Sequence, residues 1–263
     1  MTFSLTVLGS NAAIPAYNRN LSAHLLNINE RFFLIDCGEG TQIQLRKFHL
    51  SYQRIKHIFI SHLHGDHFFG LIGLLNSMHL LGRKEELHLY AHPLLQDILE
   101  LQFQASQTRL IYPLIFHPLQ TDRYELILEE ERVVVHSFPL THSIPTCGFV
   151  FREKNPPRKV LKARSFAYCS DTGYSEKIVP YIHNVDILYH EATFMQELSA
   201  VANEKLHSTA IEAATIAKNA KAGKLFLGHF SARYDDLQPL IDEARTVFAE
   251  SYVAEEGINL KIG

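Results

Sequence analysis

The sequence predicts an α/β protein in which two β-sheets pack face to face and helices cover their outer sides. Apolar stretches typical of strands fall into two groups along the chain, and segments with helical periodicity accompany each group. The composition agrees, since 46% hydrophobic and 20% charged residues in 263 exclude intrinsic disorder and supply a sizeable core. We therefore expect residues 1–263 to form a single domain, a four-layer αββα sandwich.

The first group occupies the N-terminal third of the chain. Its apolar strand-like stretches are residues 5–8, 24–28, 32–35 and 57–60. Their spacing, with Gly9 and Asn29 between them, predicts an antiparallel meander. Helical periodicity follows at 41–48, 70–81 and 93–103, and in the first of these helices Ile43, Leu45 and Phe48 are expected to share one face.

The second group begins after residue 120. Its predicted strands are 124–128, 132–138, 148–151, 166–168, 187–189 and 224–227. Amphipathic patterns at 208–220 and 237–248 predict the helices that accompany them.

Composition also limits the cellular setting. No apolar run reaches the roughly 20 residues of a membrane span, and the N-terminus lacks the basic start of a signal peptide. Three cysteines, an odd and widely spaced set, favour the reducing cytoplasm. A net charge of −3 does not indicate a nucleic-acid-binding domain, whereas 16 histidines invite a search for clusters.

The strongest local signal is SHLHGDH at residues 61–67, directly after the predicted strand that ends at residue 60. Random placement gives this H-x-H-x-D-H pattern on the order of 0.2% of the time. Residues two apart project to one side only in extended backbone, so His62 and His64 are expected to share one ion. Asp66 and His67 then face a second ion as the chain turns into the helix at residue 70, with Gly65 allowing the turn.

Four ligands are too few for two ions, so further ligands must come from other loops. His142, Asp171 and His229 each follow an apolar stretch, where a loop would hold a ligand above a sheet edge. Isolated histidines such as His49 and His88 are expected to be structural.

Motifs spread over nearly the whole chain resemble those of the ribonuclease Z family, tRNA 3′-processing endonucleases of the metallo-β-lactamase superfamily. The segments are FLIDCGEGTQ (33–42), the histidine motif, YCSDT (168–172), HEATF (190–194), HST (207–209) and HFSARY (229–234). The histidine motif marks the superfamily, while the HEAT and HST segments indicate ribonuclease Z and not a lactamase or glyoxalase. The resemblance implies the metallo-β-lactamase fold.

The resemblance also implies a centre of two zinc ions per chain. One zinc would be held by His62, His64 and His142, the other by Asp66, His67 and His229, and Asp171 would bridge them. Ligands that are all nitrogen or oxygen suit zinc at a hydrolytic site, although manganese or iron could replace it. Asp66 could also accept a proton from the attacking water.

The same resemblance suggests roles beyond the ligands. His207 would be the general acid and Glu191 its partner, although a residue before a helix cap and a carboxylate at a helix start are alternatives. Asp36 would orient a ligand by hydrogen bonding, or is only a carboxylate in a turn. Thr193 would shape the substrate pocket. Arg233 would contact a phosphate, or is solvated.

One interval departs from the family pattern. Bacterial members carry a long arm that grips tRNA between the loop of the third ligand and the strand before the bridging Asp. Here residues 152–165 form only a short, basic segment with two prolines, so the arm is shortened or omitted. Affinity for tRNA would then depend on a partner subunit's arm or on the segment's own cations, Arg152, Lys154, Arg158, Lys159, Lys162 and Arg164.

The resemblance therefore implies a zinc-dependent endoribonuclease that removes the 3′ trailer from precursor tRNA, leaving a 3′-OH on the tRNA and a 5′-phosphate on the trailer. It further implies a cytoplasmic homodimer without a membrane partner. A related hydrolase of small phosphodiesters, thioesters or lactones remains an alternative, favoured by the missing arm. A non-catalytic RNA-binding module is a third, which the full ligand set opposes.

Overall fold

The structure is a computed structural model and describes residues 2–155 and 162–262. In these ranges the strands β1 to β14 are, in chain order, Phe3–Gly9, Ala23–Ile28, Arg31–Ile35, Ile55–Phe59, Leu87–Ala91, Leu114–Pro118, Glu125–Glu129, Val133–Pro139, Cys147–Glu153, Ser165–Cys169, Ile187–Glu191, Lys224–Gly228, Ser251–Val253 and Asn259–Lys261. The helices α1 to α7 are Thr41–Lys47, Gly65–Phe68, Leu71–Leu80, Leu94–Ala105, Ser199–Lys205, Ala210–Asn219 and Gln238–Arg245.

The strands form two sheets. The first has the order β14-β1-β2-β3-β4-β5-β6 and the second the order β13-β12-β11-β10-β9-β8-β7. β1, β2 and β3 pair antiparallel as predicted, but β4 pairs parallel with β3, so the predicted meander is wrong at its fourth strand. The cause is α1, which crosses over between β3 and β4 and returns the chain in the same direction.

Three apolar clusters define four layers. Phe33 and Phe59 of the first sheet meet Phe149 and Phe151 of the second in the central cluster. The first sheet's other face packs on α1, α3 and α4, and the second sheet's other face packs on α6 and α7. Because both faces of each sheet are covered, inner strands such as β1 are buried along their whole length, the polar Ser4 and Thr6 included. The predicted αββα sandwich is confirmed.

The predicted inner face of α1 is wrong for one residue. Ile43 is 66% exposed, whereas Leu45 is buried. Gln44 takes an inward position instead, and its amide donates to the Leu8 carbonyl and to the Glu256 carboxylate. Positions 41, 44/45 and 48 lie on one side of a helix, and residue 43 lies off that stripe.

The basic segment is shorter than predicted at both ends. β9 runs to Glu153 and β10 begins at Ser165, while Pro156, Pro157, Arg158 and Lys159 lie outside the described residues.

The basic side chains that are described have partners within the chain. Arg164 is buried, and its guanidinium donates to the Glu153 carboxylate at 2.6 and 2.9 Å, so the prediction that it is available to tRNA is wrong. Arg152 donates to the carbonyls of Tyr181 and His183. Lys154 pairs with Glu129, and Lys162 pairs with Asp186.

None of the helices in the described ranges combines the length and the apolar character that crossing a lipid bilayer demands.

Candidate metal centre

The candidate site lies where strands of both sheets end. β3 and β4 run parallel in the first sheet, and β10, β11 and β12 run parallel in the second, so each set presents its carboxyl ends at one edge. Side chains that follow these ends converge, which is the usual place for a site in such sheets. The site residues just after β3, β10 and β12, namely Asp36, Asp171 and His229, have φ of 56°, 59° and 55°. Left-handed backbone at non-glycine residues is strained and is common at functional sites.

The histidine motif bridges the end of β4 and the start of the next helix. His64 is extended (φ −75°, ψ 145°), as predicted, and it precedes α2, which carries Asp66 and His67. The predicted turn into a helix at residue 70 is confirmed by α3, whose N-cap is Gly70, and the structure adds the short helix α2 before it. Gly65 also acts differently from the prediction: a Cβ there would lie 2.2 Å from the Phe69 ring, so the glycine is needed for that close approach.

A first group of four donor atoms comes from His62, His64, His142 and Asp171. Nδ1 of His64 lies 3.1 Å from Nε2 of both other histidines. Asp171 Oδ2 lies 3.5 Å from His62 Nε2 and 3.6 Å from His142 Nε2. The loop after β8 and the loop after β10 have thus been brought to the motif.

A second group surrounds the other oxygen of Asp171. Asp171 Oδ1 lies 3.1 Å from Nε2 of both His67 and His229. Asp66 Oδ2 lies 3.6 Å and 3.3 Å from the same two nitrogens. The seven predicted ligands therefore form two groups of four donor atoms that share Asp171, and its bridging role stays a prediction.

These spacings fit metal ions. Ligands at 2.0–2.1 Å in a tetrahedron lie about 3.4 Å apart. The distances given above range from 3.1 to 3.6 Å, and the donor atoms of the first group all lie within 4.8 Å of one another. Burial lowers the pKa of His62 to about 4, so its imidazole is neutral, as a metal ligand must be. Burial alone would raise the pKa of Asp171, but neighbouring histidines hold it well below its usual range, and the carboxylate is ionised.

Hydrogen bonds from Nδ1 fix the orientation of four ligand rings. His62 Nδ1 lies 3.0 Å from Ser61 Oγ, His67 Nδ1 lies 2.8 Å from Asp36 Oδ2, and His142 Nδ1 lies 3.1 Å from the Leu206 carbonyl. His229 Nδ1 lies 3.0 Å from Thr193 Oγ1. Each ring is then left with Nε2 towards the centre, and such outer partners raise the basicity of a ligand.

Asp36 is the centre of one buried network. Its Oδ1 accepts from the Ser61 amide at 2.8 Å, and its Oδ2 accepts from Ser61 Oγ, His67 Nδ1 and the Tyr168 hydroxyl, the last at 2.7 Å. Tyr168 belongs to β10, so this hydroxyl connects the second sheet to the end of β3 in the first. The geometry favours the predicted orienting role of Asp36 over a simple turn carboxylate.

Glu191 and His207 form a second network beside the ligands. His207 Nδ1 lies 2.8 Å from Glu191 Oε1, and the carboxylate also accepts from the amides of Thr172 and Ser208 at 2.7 and 3.1 Å. Burial alone would lower the pKa of His207, but Glu191 raises it to about 9, so the imidazole is protonated near neutral pH. A donor atom of His207 lies within 4.8 Å of donor atoms of Asp171 and His229. This pair can hold a proton beside the candidate ions.

The two predicted substrate contacts differ in their surroundings. The Thr193 hydroxyl is buried, lies 2.6 Å from Glu191 Oε2, and faces His229 Nδ1, so it joins the two networks and is committed to internal hydrogen bonds. Arg233 is exposed at the cleft, with its guanidinium 5.6 Å from the centre of the Phe194 ring. Its predicted phosphate contact stays a prediction.

Sequence reasoning missed three contributors to the site. The amide of Ala13 donates to Asp66 Oδ2 at 2.8 Å, from a loop that carries no chemical motif. In the sequence, Tyr168 resembles an ordinary core residue of an apolar strand. Only its position in YCSDT, the motif that contains Asp171, could have indicated a role at the site. Phe69, which follows the motif, lines the same cleft of about 880 Å³ as the ligands.

The chain is similar to several known proteins over nearly its whole length. A protein-family model described as Anti-Pycsar protein Apyc1 matches residues 3–252. Ribonuclease Z of Azobacteroides pseudotrichonymphae is 42% identical, with 99% of each chain covered. The structure of the short form of human tRNase Z superposes with a TM-score of 0.85 at 33% identity, again over 99% of both chains. The metallo-β-lactamase fold protein YhfI from Bacillus subtilis gives a TM-score of 0.78 at 25% identity over 99% and 100% of the chains.

A further relative differs in length. Ribonuclease Z of Bacteroides thetaiotaomicron is 37% identical over 301 aligned positions that cover 99% of this chain. Because this chain has 263 residues, at least 38 of those positions have no counterpart in it.

Proposed function

This chain belongs to the ribonuclease Z family, and to the family described as Anti-Pycsar protein Apyc1, and we propose that it is the metal-dependent endoribonuclease that removes the 3′ trailer from precursor tRNA. The observation that carries the proposal is the pair of donor groups joined by Asp171, with the Glu191–His207 pair beside them. The two donor groups can hold metal ions that assist hydrolysis of a phosphodiester. The Glu191–His207 pair can supply the proton that a departing alkoxide needs.

Two metal ions per chain would be held by the two groups. His62, His64 and His142 would bind one, and Asp66, His67 and His229 the other, with one oxygen of Asp171 for each. Two such ions supply neutralisation of the scissile phosphate's charge and a more acidic water molecule. Nitrogen and oxygen donors without thiolate favour zinc, and manganese and iron are the other metals that the set accepts.

The chain's own residues would move the protons. Asp66 Oδ2 is held by the Ala13 amide and faces His229, so Oδ1 is the atom to accept the proton of the attacking water. His207, held at Nδ1 by Glu191, would donate its other ring proton to the departing 3′-oxygen. An alkoxide is a poor leaving group, so this acid would contribute about 10²–10⁴-fold to the rate.

The proposal extends to the protein's setting. Its substrate, precursor tRNA, places it in the cytoplasm, and three buried free cysteines are compatible with reducing conditions. We also propose a homodimer in which one subunit assists the other in holding tRNA. Analytical ultracentrifugation tests this part: a single monomeric species at micromolar concentration would contradict it.

A cleavage assay tests the proposed function. Precursor tRNA is incubated with protein loaded with zinc, and both product ends are mapped by mass spectrometry. We expect cleavage at one position, leaving a 3′-OH on the tRNA and a 5′-phosphate on the trailer, and no cleavage by Asp171→Ala. Absence of tRNA product would contradict the proposal.

A second candidate is a hydrolase of small phosphodiesters, thioesters or lactones. It is favoured by the 38 or more positions of a curated ribonuclease Z that this chain lacks. Rapid turnover of bis-p-nitrophenyl phosphate by protein that leaves precursor tRNA intact would support this candidate and exclude the first.

A further inference from the structure

An exposed aromatic ring stands at the edge of the catalytic cleft. Phe69 has 64% of its surface exposed. It lies one residue beyond the helix that carries Asp66 and His67. It lines the cleft together with His64, Asp66 and the other site residues. Other apolar side chains such as Ile43 and Leu101 are equally exposed, but Phe69 differs from them because it lies in the cleft that holds the candidate ligands. Burying a phenylalanine against a bound group is favourable by about 2 kcal/mol.

The ring lies close to the helix that precedes it. The Phe69 amide donates to the Gly65 carbonyl at 2.9 Å, and three ring atoms would lie within 2.7 Å of a Cβ at position 65. Phe68 contacts the ring edge-on, with centroids 4.9 Å apart. The aromatic surface therefore lies directly beside the segment that carries the ligands Asp66 and His67.

The cleft offers surfaces for a base as well as for phosphates. Lys205 and Arg233 line it and suit phosphates, whereas Ala12, Ile14, Pro15 and Leu21 line the same cleft and carry no charge. The anionic part of a nucleotide is matched by the candidate ions, which leaves the apolar lining for the planar, weakly polar nucleobase. Aromatic side chains commonly stack on unpaired bases in this way.

We propose that Phe69 is a substrate-binding residue on which an unpaired base of the RNA trailer stacks, so that the adjacent phosphate is aligned with the ligands. The proposal rests on the proposed function, since it takes precursor tRNA as the substrate. The trailer is the side we assign, because its bases are single-stranded and free to leave their neighbours, whereas the tRNA side of the cut continues the stacked acceptor helix.

The test compares two substrates and four variants. One precursor tRNA carries a normal trailer, and the other carries abasic sugars at the first trailer positions. The variants are Phe69→Ala, Phe69→Leu, Phe69→Tyr and, as a matched control, Leu101→Ala, which removes an equally exposed apolar side chain of α4 away from the cleft. Bound zinc is measured for each variant, so that damage to the ligand segment is recognised.

We expect Phe69→Ala to lower kcat/KM about 5- to 150-fold on the normal trailer, the loss typical of one stacked base. Phe69→Leu should lose as much, because it restores apolar bulk without an aromatic face. Leu101→Ala should resemble the unchanged protein, and Phe69→Tyr, which keeps an aromatic face, should lose much less than Phe69→Leu. On the abasic trailer all variants should cleave at the same, lower rate with full zinc content.

Four outcomes would overturn the proposal. Equal losses on both trailers would mean that Phe69 supports the fold and does not contact a base. Full activity of Phe69→Leu would mean that only apolar bulk matters. Failure of the unchanged protein to cleave either RNA would remove the proposed function and the stacking together, whereas normal cleavage by Phe69→Ala would remove the stacking alone.

Discussion

Two stacked tyrosines offer a matched test of the network behind the candidate metal centre. Tyr168 and Tyr189 are both fully buried, lie on adjacent strands and stack with ring centroids 5.0 Å apart. The Tyr168 hydroxyl donates to Asp36 Oδ2 at 2.7 Å. The Tyr189 hydroxyl makes no hydrogen bond of normal geometry to the described residues, although the backbone of His229 approaches it. Changing either tyrosine to phenylalanine removes a buried hydroxyl oxygen. At position 168 that hydroxyl donates to Asp36, whereas at position 189 it has no hydrogen bond of normal geometry within the described part of the chain.

The expected difference follows from what each hydroxyl does. Tyr168→Phe removes one of four donors from the buried carboxylate of Asp36, and a hydrogen bond to a charged group contributes about 1.5–3 kcal/mol. Tyr189→Phe removes a polar group that burial already penalises, so its effect on the free energy of unfolding should be near zero or slightly stabilising. Because Asp36 holds Nδ1 of His67, Tyr168→Phe should also weaken zinc binding, by up to about 10–100-fold.

Urea denaturation of chelator-treated protein measures the first effect, and competition with a fluorescent zinc chelator measures the second. Both variants keep the aromatic stack, so loss of packing does not distinguish them. Equal stability of the two variants, or a larger loss for Tyr189→Phe, would refute the assignment of the Asp36 network. Unchanged zinc affinity in Tyr168→Phe would refute its link to the metal centre.

Four other predictions address the remaining groups. His207→Ala should keep its metal yet slow cleavage of substrates with poor leaving groups by about 10²–10⁴-fold; equal slowing with p-nitrophenolate as leaving group would argue against a general acid. Asp171→Ala should lose metal and turnover while retaining RNA binding in a gel-shift assay, and retained turnover would contradict the bridging role. Thr193→Val should lower zinc affinity, since it removes the partner of His229 Nδ1; a raised KM for tRNA with normal zinc affinity would instead support the substrate contact that the sequence predicts. Burial lowers the pKa of His24 to about 3, so the unfolded chain takes up a proton below pH 6.5 that the folded chain does not. Stability of the metal-free protein should therefore fall as the pH drops from 6.5 to 3, by up to about 1.4 kcal/mol per pH unit from this group, and less steeply in His24→Phe; parallel urea-midpoint curves against pH for the two proteins would disprove this.

Much of the candidate site was accessible from the sequence because its residues are tied to strand ends. His62 and His64 follow an apolar strand, and so do Asp171 and His229, and a ligand just beyond a strand can be recognised by its chemistry and position. The alternation of strand-like and helical periodicity likewise predicts two covered sheets. Both signals are local, because each depends only on residues within a short stretch of chain.

Other features depend on contacts between distant segments. Whether β4 runs parallel or antiparallel to β3 depends on whether the connection through α1 crosses back to the other end of the sheet, and strand patterns are the same in either direction. The inward position of Gln44 depends on Glu256, which lies 212 residues away.

What the sequence determined by itself is the kind of chemistry: a set of histidine and aspartate ligands, the strands that bear them and the αββα class of fold. Only the tertiary structure decided how these ligands are oriented, through the Tyr168 hydroxyl that crosses between sheets to Asp36 and through Thr193, which lies between Glu191 and His229. The physical reason is that hydrogen bonds act over about 3 Å between groups whose separation along the chain carries no information about their distance in space.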